Sequence, residues 1–412
     1  MDIEDLHLAC LAQIPEGGGP CRLELEDLVE SKKQVRAPQA REDGLKLFAR
    51  VTESDRARAL QRPPLILSCS RRTDVPWAFL RQYLKAFREG FMYVRSPVTG
   101  QMDPVCLVPY DELTGKGVLC ISWWSKNYSK WIEEFKREDS ILRSYKVHMF
   151  NFTVNSDDLV LEPGLTARLP ERLQQVTWLA KRFGPHALNI RFDPIVHYRR
   201  VPELGIHDNL QDFEQIVCHI GGLGIRHITF SFCKAYKQSV RNMLSANVEL
   251  VALSEAQQRQ VLDRLLPLAA RHGVELRCCC DTGLVGYRAQ AAQATAPEVR
   301  KVRRWGLKKE KKEEGEKGEK GDKEKVARQL LAAPLIPEVG ESRCLDARLA
   351  DRLARDLGLK VTFPHQKDRG QREQCNCTGS REIGQYELQC PHSCLYCYAN
   401  PKPVQPGAPG GG

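Results

Sequence analysis

Three cysteines with a spacing suited to iron lie within residues 390–397, which read CPHSCLYC. Cys390, Cys394 and Cys397 form a C-x3-C-x2-C pattern, and Tyr396 directly precedes the last of them. Three thiolates held this close together can bind three irons of a cubane cluster and leave the fourth iron open for a ligand. The spacing therefore predicts a 4Fe-4S cluster with one open iron.

Two other interpretations of these thiols remain open. A structural zinc site is the first, and it would draw on Cys375, Cys377 and His392 in addition to the three cysteines. Zinc sites usually pair C-x2-C units, whereas this region carries a C-x-C and a C-x3-C-x2-C, so the spacing favours iron. The second interpretation is that these cysteines form disulfides or are inert thiols. A possible second metal site consists of Cys280, Cys344, Cys375 and Cys377.

The composition limits the class of protein. The chain has 412 residues, sixteen of them cysteine, and a net charge of +10. The opening residues, MDIED, lack the order of a secretory signal, so we expect reduced thiols and a cytoplasmic location. No run of about 18 apolar residues occurs, which argues against a membrane span. Residues 301–325 carry eleven Lys or Arg and seven Asp or Glu, and no compact basic patch with aromatics remains elsewhere, which argues against a nucleic-acid partner without excluding one.

Apolar runs alternate with amphipathic stretches through the middle of the chain, as in repeated strand and helix units on a parallel sheet. Strands are predicted at 65–70, 91–95, 117–123, 146–153, 188–195, 227–232 and 274–280. Helices are predicted at 77–89, 170–183, 210–220 and 255–272. With right-handed crossovers, this pattern favours an α/β fold of the TIM-type (β/α) barrel kind, complete or partial, with a cysteine-rich metal-binding tail. An open doubly wound sheet is the alternative.

Changes in composition divide the chain into five segments. Residues 1–62 are expected to be a loosely structured extension, and residues 63–288 form the predicted barrel. Residues 289–340 contain the run KKEKKEEGEKGEKGDKEK, a charged insertion or linker that cannot bury apolar surface. Residues 341–400 are expected to form a helix and the cysteine-rich segment, which packs on the barrel. The Pro/Gly-rich residues 401–412 are expected to be disordered.

Polar residues occupy one face of several predicted strands. Arg191 and Asp193 alternate with apolar neighbours, and so do Thr229 and Ser231. Because a packed barrel interior usually carries branched apolar residues, a recurrent polar face predicts a cavity that faces a ligand. A buried structural ion pair is the alternative interpretation of Arg191 and Asp193.

Charged residues also gather just past the predicted strand ends, where barrel enzymes carry their functional groups. They are Arg71, Arg72, Asp74, Arg95, Lys126, His197 and Lys234. Paired guanidinium groups can hold a carboxylate or a phosphate through two hydrogen bonds each. The predicted catalytic set is Arg191, Asp193, Lys126, Arg72 and Asp74. The predicted cofactor-binding set is Ser231, Lys234 and Arg71.

Several stretches of the chain together resemble domain-of-unknown-function family 1848. They are 67–76 (LSCSRRTDVP), 91–97, 122–127, 191–194 (RFDP), 231–237 and 371–400. The tail motif CPHSCLYCYAN is the most specific of them. Two features depart from the family pattern: residues 123–127 read WWSKN where a sequence of the FWTKN type is expected, and the charged insertion is foreign to it.

The resemblance implies a barrel-like body and a C-terminal cysteine cluster similar to that of radical S-adenosylmethionine enzymes. In those enzymes the open iron binds S-adenosylmethionine, and an electron donor drives its cleavage. No Gly-Gly-Glu type sequence follows the second predicted strand, where such enzymes commonly bind the methionine amine, so the cluster is better supported than S-adenosylmethionine. The resemblance implies no reaction and no substrate. The alternative function is a zinc- or cluster-stabilised binding protein without catalysis.

Overall fold

A sheet of eight parallel strands forms the centre of the computed structural model, which describes residues 48–97, 99–289 and 337–399. The strands in chain order are β1 (Ile66–Cys69), β2 (Phe91–Arg95), β3 (Met102–Cys106), β4 (Cys120–Ser125), β5 (Val147–Thr153), β6 (Leu188–Ile195), β7 (His197–Arg200), β8 (Ile206–Asp208), β9 (His227–Phe232), β10 (Val248–Leu250), β11 (Glu275–Cys278), β12 (Gly340–Glu341) and β13 (Arg381–Glu382). The α-helices are α1 (Glu53–Gln61), α2 (Leu80–Glu89), α3 (Ser129–Lys136), α4 (Leu169–Phe183), α5 (Phe213–Gly222), α6 (Lys237–Ser245), α7 (Glu255–Arg271) and α8 (Ala347–Asp356).

The strands of the large sheet follow one another almost in chain order. Their spatial order is β12, β11, β9, β6, β5, β4, β1 and β13, with every neighbouring pair parallel. The edge strands are β12 and β13, and no ladder joins them within the described residues. The backbone N–H of Thr378 nevertheless donates to the carbonyl of Leu345 at 2.9 Å, so the chain beyond β12 contacts the chain before β13. The predicted α/β class with a parallel sheet is confirmed.

One face of the large sheet carries a hydrogen-bonded row of buried polar side chains. Asn151 donates to Ser122 at 3.0 Å and accepts from Asn189 at 2.8 Å. Thr229 donates to Asn189 at 2.8 Å and contacts the hydroxyl of Ser342 at 2.7 Å. These contacts link β4, β5, β6, β9 and the residue after β12, because alternate side chains of a strand share a face. The polar face predicted from sequence is therefore present and internally satisfied.

The opposite face of the sheet packs against the helices. Ile190 and Phe192 of β6 and Ile228 and Phe230 of β9 are fully buried in the main apolar core. Helix α7 begins with a capping box, in which Ser254 accepts from the N–H of Gln257 at 3.3 Å. The apolar residues of such helices recur every three or four positions and so cover the sheet with one face.

Two predicted features of the chain need correction. The strand at 91–95 exists, but it pairs antiparallel with β3 in a separate two-stranded sheet instead of joining the large one. Only a short turn separates β2 from β3, whereas a parallel crossover needs a dozen or more residues. The predicted loose extension ends in a helix, α1, whose N-cap is Thr52. Residues 1–47, the run 308–325 and residues 401–412 lie outside the described residues.

No helix within the described ranges is long and apolar enough to cross a membrane.

Candidate functional site

A cavity of about 330 Å³ lies at the carboxyl ends of the parallel strands. It is lined by residues from the ends of β4, β5, β6, β9 and β11, from the loops after β1 and β12, and from the cysteine-rich segment. All fifteen residues of the predicted catalytic, cofactor and metal sets line it: Arg71, Arg72, Asp74, Lys126, Arg191, Asp193, Ser231, Lys234, Cys280, Cys344, Cys375, Cys377, Cys390, Cys394 and Cys397. Their individual roles stay predictions.

Two charged residues expected near this site lie elsewhere. Arg95 ends β2 in the separate hairpin, and its Nε lies 3.1 Å from a carboxylate oxygen of Glu387. His197 begins β7, in the three-stranded antiparallel sheet, 4.0 Å from Asp208. Neither lines the cavity. Their positions after predicted strands are similar to those of the lining residues, so the sequence pattern alone does not separate them.

Asp74 connects the loop after β1 to the cysteine-rich segment. One oxygen of its buried carboxylate accepts from the backbone N–H of Trp77 at 3.1 Å, and the other accepts from that of Lys126 at 2.9 Å. Ser125 donates to the same carboxylate at 2.8 Å. Nε2 of His392 lies 2.8 Å from Oδ2, and the imidazole stacks on Trp77 with ring centroids 4.7 Å apart. Asp74 therefore positions several lining residues at once.

Lys126 belongs to a second buried network. Its Nζ donates to Oε1 of Glu162 at 2.8 Å and to the hydroxyl of Tyr396 at 3.0 Å. Asn155 donates to the same Glu162 oxygen at 2.9 Å. Burial opposes ionisation of Glu162, but Lys126 and Arg172 lower its pKa to about 2, so the carboxylate is charged. The network joins β4 to the cysteine-rich segment through Tyr396.

Arg191 and Asp193 form an ion pair on β6. Nη2 of Arg191 contacts Oδ2 of Asp193. The other carboxylate oxygen of Asp193 accepts a hydrogen bond from the hydroxyl of Ser231. Nη1 of Arg191 contacts the thiol of Cys344, and the guanidinium lies 5.2 Å above the ring of Trp124. The ion pair proposed as the alternative interpretation is thus present, and both members also line the cavity.

The cysteines of the C-x3-C-x2-C segment meet the same cavity. Burial raises the pKa of Cys390 to about 12 and also raises that of Cys394. Both thiols are therefore protonated in this arrangement, and metal binding would release their protons. The segment rests on Gly164, whose N–H donates to the carbonyl of His392 at 3.0 Å. A Cβ at this glycine would overlap the backbone of Pro391.

Five further thiols, which we call the thiol group, line another part of the cavity wall. They are Cys279, Cys280, Cys344, Cys375 and Cys377. The thiol of Cys279 lies 3.6 Å from that of Cys344 and 3.7 Å from that of Cys280. Hydrogen bonds from Cys279 and Cys377 and the charge of Arg191 lower the pKa of Cys344 despite its burial. None of these cysteines forms a disulfide with another cysteine in the described part of the chain.

Within the described ranges, no group of three or more His, Cys, Asp or Glu side chains has an arrangement that could hold a metal ion as it stands. Cysteine binds a metal as the thiolate, so Cys390 and Cys394 would have to lose their protons on binding. Metal binding here would therefore require both proton release and rotation of the cysteine side chains.

Several lining or supporting residues were not predicted. Glu162 lies in a loop without a recognisable motif, and nothing in its neighbourhood in the sequence marks it. Arg372 lies 5.9 Å from the ring centroids of both Tyr236 and Tyr398 at the cavity wall. Cys279 is adjacent to the predicted Cys280, and only the conformation after β11 shows that both line the cavity. The run of three cysteines at 278–280 is the feature of the sequence that could have indicated Cys279.

Basic groups, carboxylates and thiols thus converge on the wall of one cavity. No curated protein and no solved structure matches the chain. A model of the family described as Domain of unknown function (DUF1848) matches residues 66–320 and 323–399, which include every residue that lines the cavity. The chain belongs to the DUF1848 family.

Proposed function

We propose that Cys390, Cys394 and Cys397 hold a 4Fe-4S cluster and that the protein is a radical S-adenosylmethionine-like enzyme whose substrate occupies the cavity. One observation carries the proposal: the three cysteines, spaced as three ligands of a cubane, line the same cavity as the polar residues at the strand ends. The bound cluster would supply one electron, received from an electron donor, for the reductive cleavage of S-adenosylmethionine.

The proposed body is a (β/α) barrel. Seven strands of the large sheet lie side by side in chain order, as in such a barrel, and β13 takes the place of an eighth strand beside β1. The hydrogen bond of Thr378 with Leu345 links the chain beyond β12 to the chain before β13, which supports a closed barrel. Functional groups of barrel enzymes come from the carboxyl ends of the strands, which is where the cavity lies.

The lining residues divide into groups that are already engaged and groups with free capacity. Arg71 is engaged with Glu382 and Asp368, both at 3.2 Å, so we assign it a positioning role. Arg72 donates to the carbonyl of Gly384 at 3.1 Å and retains other N–H groups for a carboxylate. Lys234 is exposed and has no ion pair in the described part of the chain.

Contacts with the substrate would then come from the lining residues with free hydrogen-bonding capacity and from residues at the strand ends. Lys234 and Arg72 suit the carboxylate of S-adenosylmethionine or of an anionic substrate. Asp193 and Ser231 can accept and donate hydrogen bonds at the cavity wall. Lys126, held by Glu162, contributes a fixed positive charge beside Cys394. The buried walls would exclude water from the reacting groups.

One specific observation supports the alternative, a zinc-stabilised binding protein. Nδ1 of His392 is buried and has no hydrogen-bond partner among the residues that the structure describes, while Nε2 is bonded to Asp74. A histidine that ligates a metal commonly donates its other ring N–H to a carboxylate in this way. His392 could therefore join the three cysteines around a tetrahedral zinc ion.

Metal analysis with an activity test separates the two proposals. The full chain is purified without oxygen, its iron, sulfide and zinc are measured, and it is reduced with S-adenosylmethionine present. Iron with sulfide, and release of 5′-deoxyadenosine, support the enzyme. Zinc that is lost from both Cys394→Ala and His392→Ala, with no cleavage, supports the binding protein. Cys218→Ala, a change of an exposed cysteine, is the control and should keep its metal.

A further inference from the structure

The thiol group brings together five cysteines from three distant segments of the chain. Cys279 and Cys280 follow β11, Cys344 follows β12, and Cys375 and Cys377 precede β13. The five side chains line the same part of the cavity wall. The thiol of Cys279 lies 3.6 Å from that of Cys344 and 3.7 Å from that of Cys280. Ordinary core packing does not concentrate thiols in this way.

The conformation of the chain supports this convergence. Cys280 has a φ of 58°, in the left-handed region that residues other than glycine seldom adopt. Such conformations persist where the surrounding structure requires them, and they concentrate at functional sites. Cys344, Cys375 and Cys377 are buried, with 3%, 7% and 4% of their surface exposed, so oxidants in solution have little access to them.

One distance within the thiol group fits a single ion better than a cluster. A tetrahedral zinc with Zn–S bonds of about 2.3 Å places its sulfurs roughly 3.8 Å apart. The thiols of Cys279 and Cys344 lie 3.6 Å apart, which is close to that value. In a cubane each thiolate binds a different iron, so the sulfurs lie much farther apart. Rotation of the other side chains would complete the set of ligands for one ion.

We propose that the thiol group binds one zinc ion through Cys344, Cys375, Cys377 and one cysteine of the adjacent pair, Cys279 or Cys280. The ligands come from both edges of the large sheet, because Cys344 follows β12 and Cys375 and Cys377 precede β13. The ion joins these edges where no strand ladder does within the described residues. Arg191, in contact with Cys344, balances part of the thiolate charge.

The zinc site shares no ligand with the centre at residues 390–397, so paired variants can distinguish the two sites. The full chain is purified under reducing conditions, and zinc and iron are measured per chain. The wild-type protein is expected to hold one zinc. Cys375→Ala/Cys377→Ala is expected to lose that zinc and keep any iron, whereas Cys390→Ala/Cys394→Ala is expected to keep it. The control Cys106→Ala/Cys218→Ala changes one buried and one exposed cysteine outside both sets.

Three results would overturn the inference: a wild-type protein without zinc, zinc retained by Cys375→Ala/Cys377→Ala, or zinc lost from both paired variants. If the first variant fails to fold, cobalt replaces zinc in the wild-type chain. Four thiolates around cobalt give strong charge-transfer bands in the near ultraviolet and tetrahedral d–d bands. Their appearance, unchanged in Cys390→Ala/Cys394→Ala, supports the site, and their absence refutes it.

Discussion

The carboxylate of Asp74 accepts a hydrogen bond from Nε2 of His392 at 2.8 Å, across 318 residues of sequence. Asp74 follows the first strand of the large sheet, and His392 lies between Cys390 and Cys394. The bond is buried, with 6% of Asp74 and 1% of His392 exposed. It therefore fixes the cysteine-rich segment directly to the beginning of the fold.

Replacing Asp74 by Asn should destabilise the protein and loosen this segment. Four donors, from Trp77, Ser125, Lys126 and His392, converge on the carboxylate, and an amide offers one acceptor oxygen in place of two. A buried donor left without a partner costs about 1–3 kcal/mol. The urea concentration at the midpoint of unfolding and the metal content per chain should both decrease. Asp208→Asn, on a carboxylate that is partly exposed, is the control, and equal losses in both variants would contradict the prediction.

Gly164→Ala should displace the cysteine-rich segment without adding charge or changing a thiol. The new methyl group would overlap the backbone of Pro391 and His392, which cannot rotate away. Overpacking of this kind costs about 1–3 kcal/mol. We expect weaker metal retention at residues 390–397, measured as iron or zinc per chain. Gly205→Ala, where none of the described atoms lies within 4 Å of the new Cβ, should match the wild type.

Lys126→Met should cost more than the loss of a surface ion pair. It leaves Glu162 charged and 3% exposed, with its principal counter-charge removed. Breaking one side of a buried pair costs about 3–5 kcal/mol. The double variant Lys126→Met/Glu162→Met should recover much of that loss in urea unfolding. A double variant as unstable as the sum of the single variants would show that the two side chains do not interact.

Stability should fall between pH 6.5 and pH 4 because of His148. Burial lowers the pKa of His148 from 6.5 to about 4, and Trp123 donates to its Nδ1 at 3.0 Å. In this window the unfolded chain binds a proton that the folded chain does not, so acid favours unfolding. The full shift corresponds to about 3 kcal/mol.

A substitution assigns this pH dependence to the one residue. His148→Gln cannot gain a proton, so its free energy of unfolding, followed by urea titration at each pH, should fall less steeply in the same window. Stability of the wild type relative to this variant should drop by about 3 kcal/mol from pH 7 to pH 4. His186→Gln, on an exposed histidine, should retain the wild-type slope. Identical slopes in all three proteins would refute the assignment.

The strands that the sequence predicts best are those with strong alternation. The predicted bounds of β6 and β9 agree with the structure, since apolar and polar residues alternate along both. The two-residue strands β12 and β13 have no periodicity to detect and form only because neighbouring strands provide partners. The strand at 91–95 was predicted correctly, but its partner was not, because pairing depends on residues that a local pattern does not include.

The same limit applies to the site. Alternation on β6 identified Arg191 and Asp193, and cysteine spacing identified Cys390 and its companions, because both signals are local. Glu162 becomes apparent only once the fold places it beside Lys126. Arg95 and His197 satisfy the same local rule as the lining residues, yet they belong to other sheets. Which residues come together in space depends on which strands become neighbours, and the local sequence pattern does not show this.

The late position of β13 in the chain has a consequence for synthesis on the ribosome. Translation proceeds at about 5–20 residues per second, so the 318 residues between Asp74 and His392 take on the order of tens of seconds. During that interval β1 has no neighbour on the side that β13 later occupies. An unpaired strand edge can pair with another nascent chain. Messages truncated before residue 381 should therefore yield products that aggregate. The protein is thus exposed to aggregation during its own translation, before β13 is made.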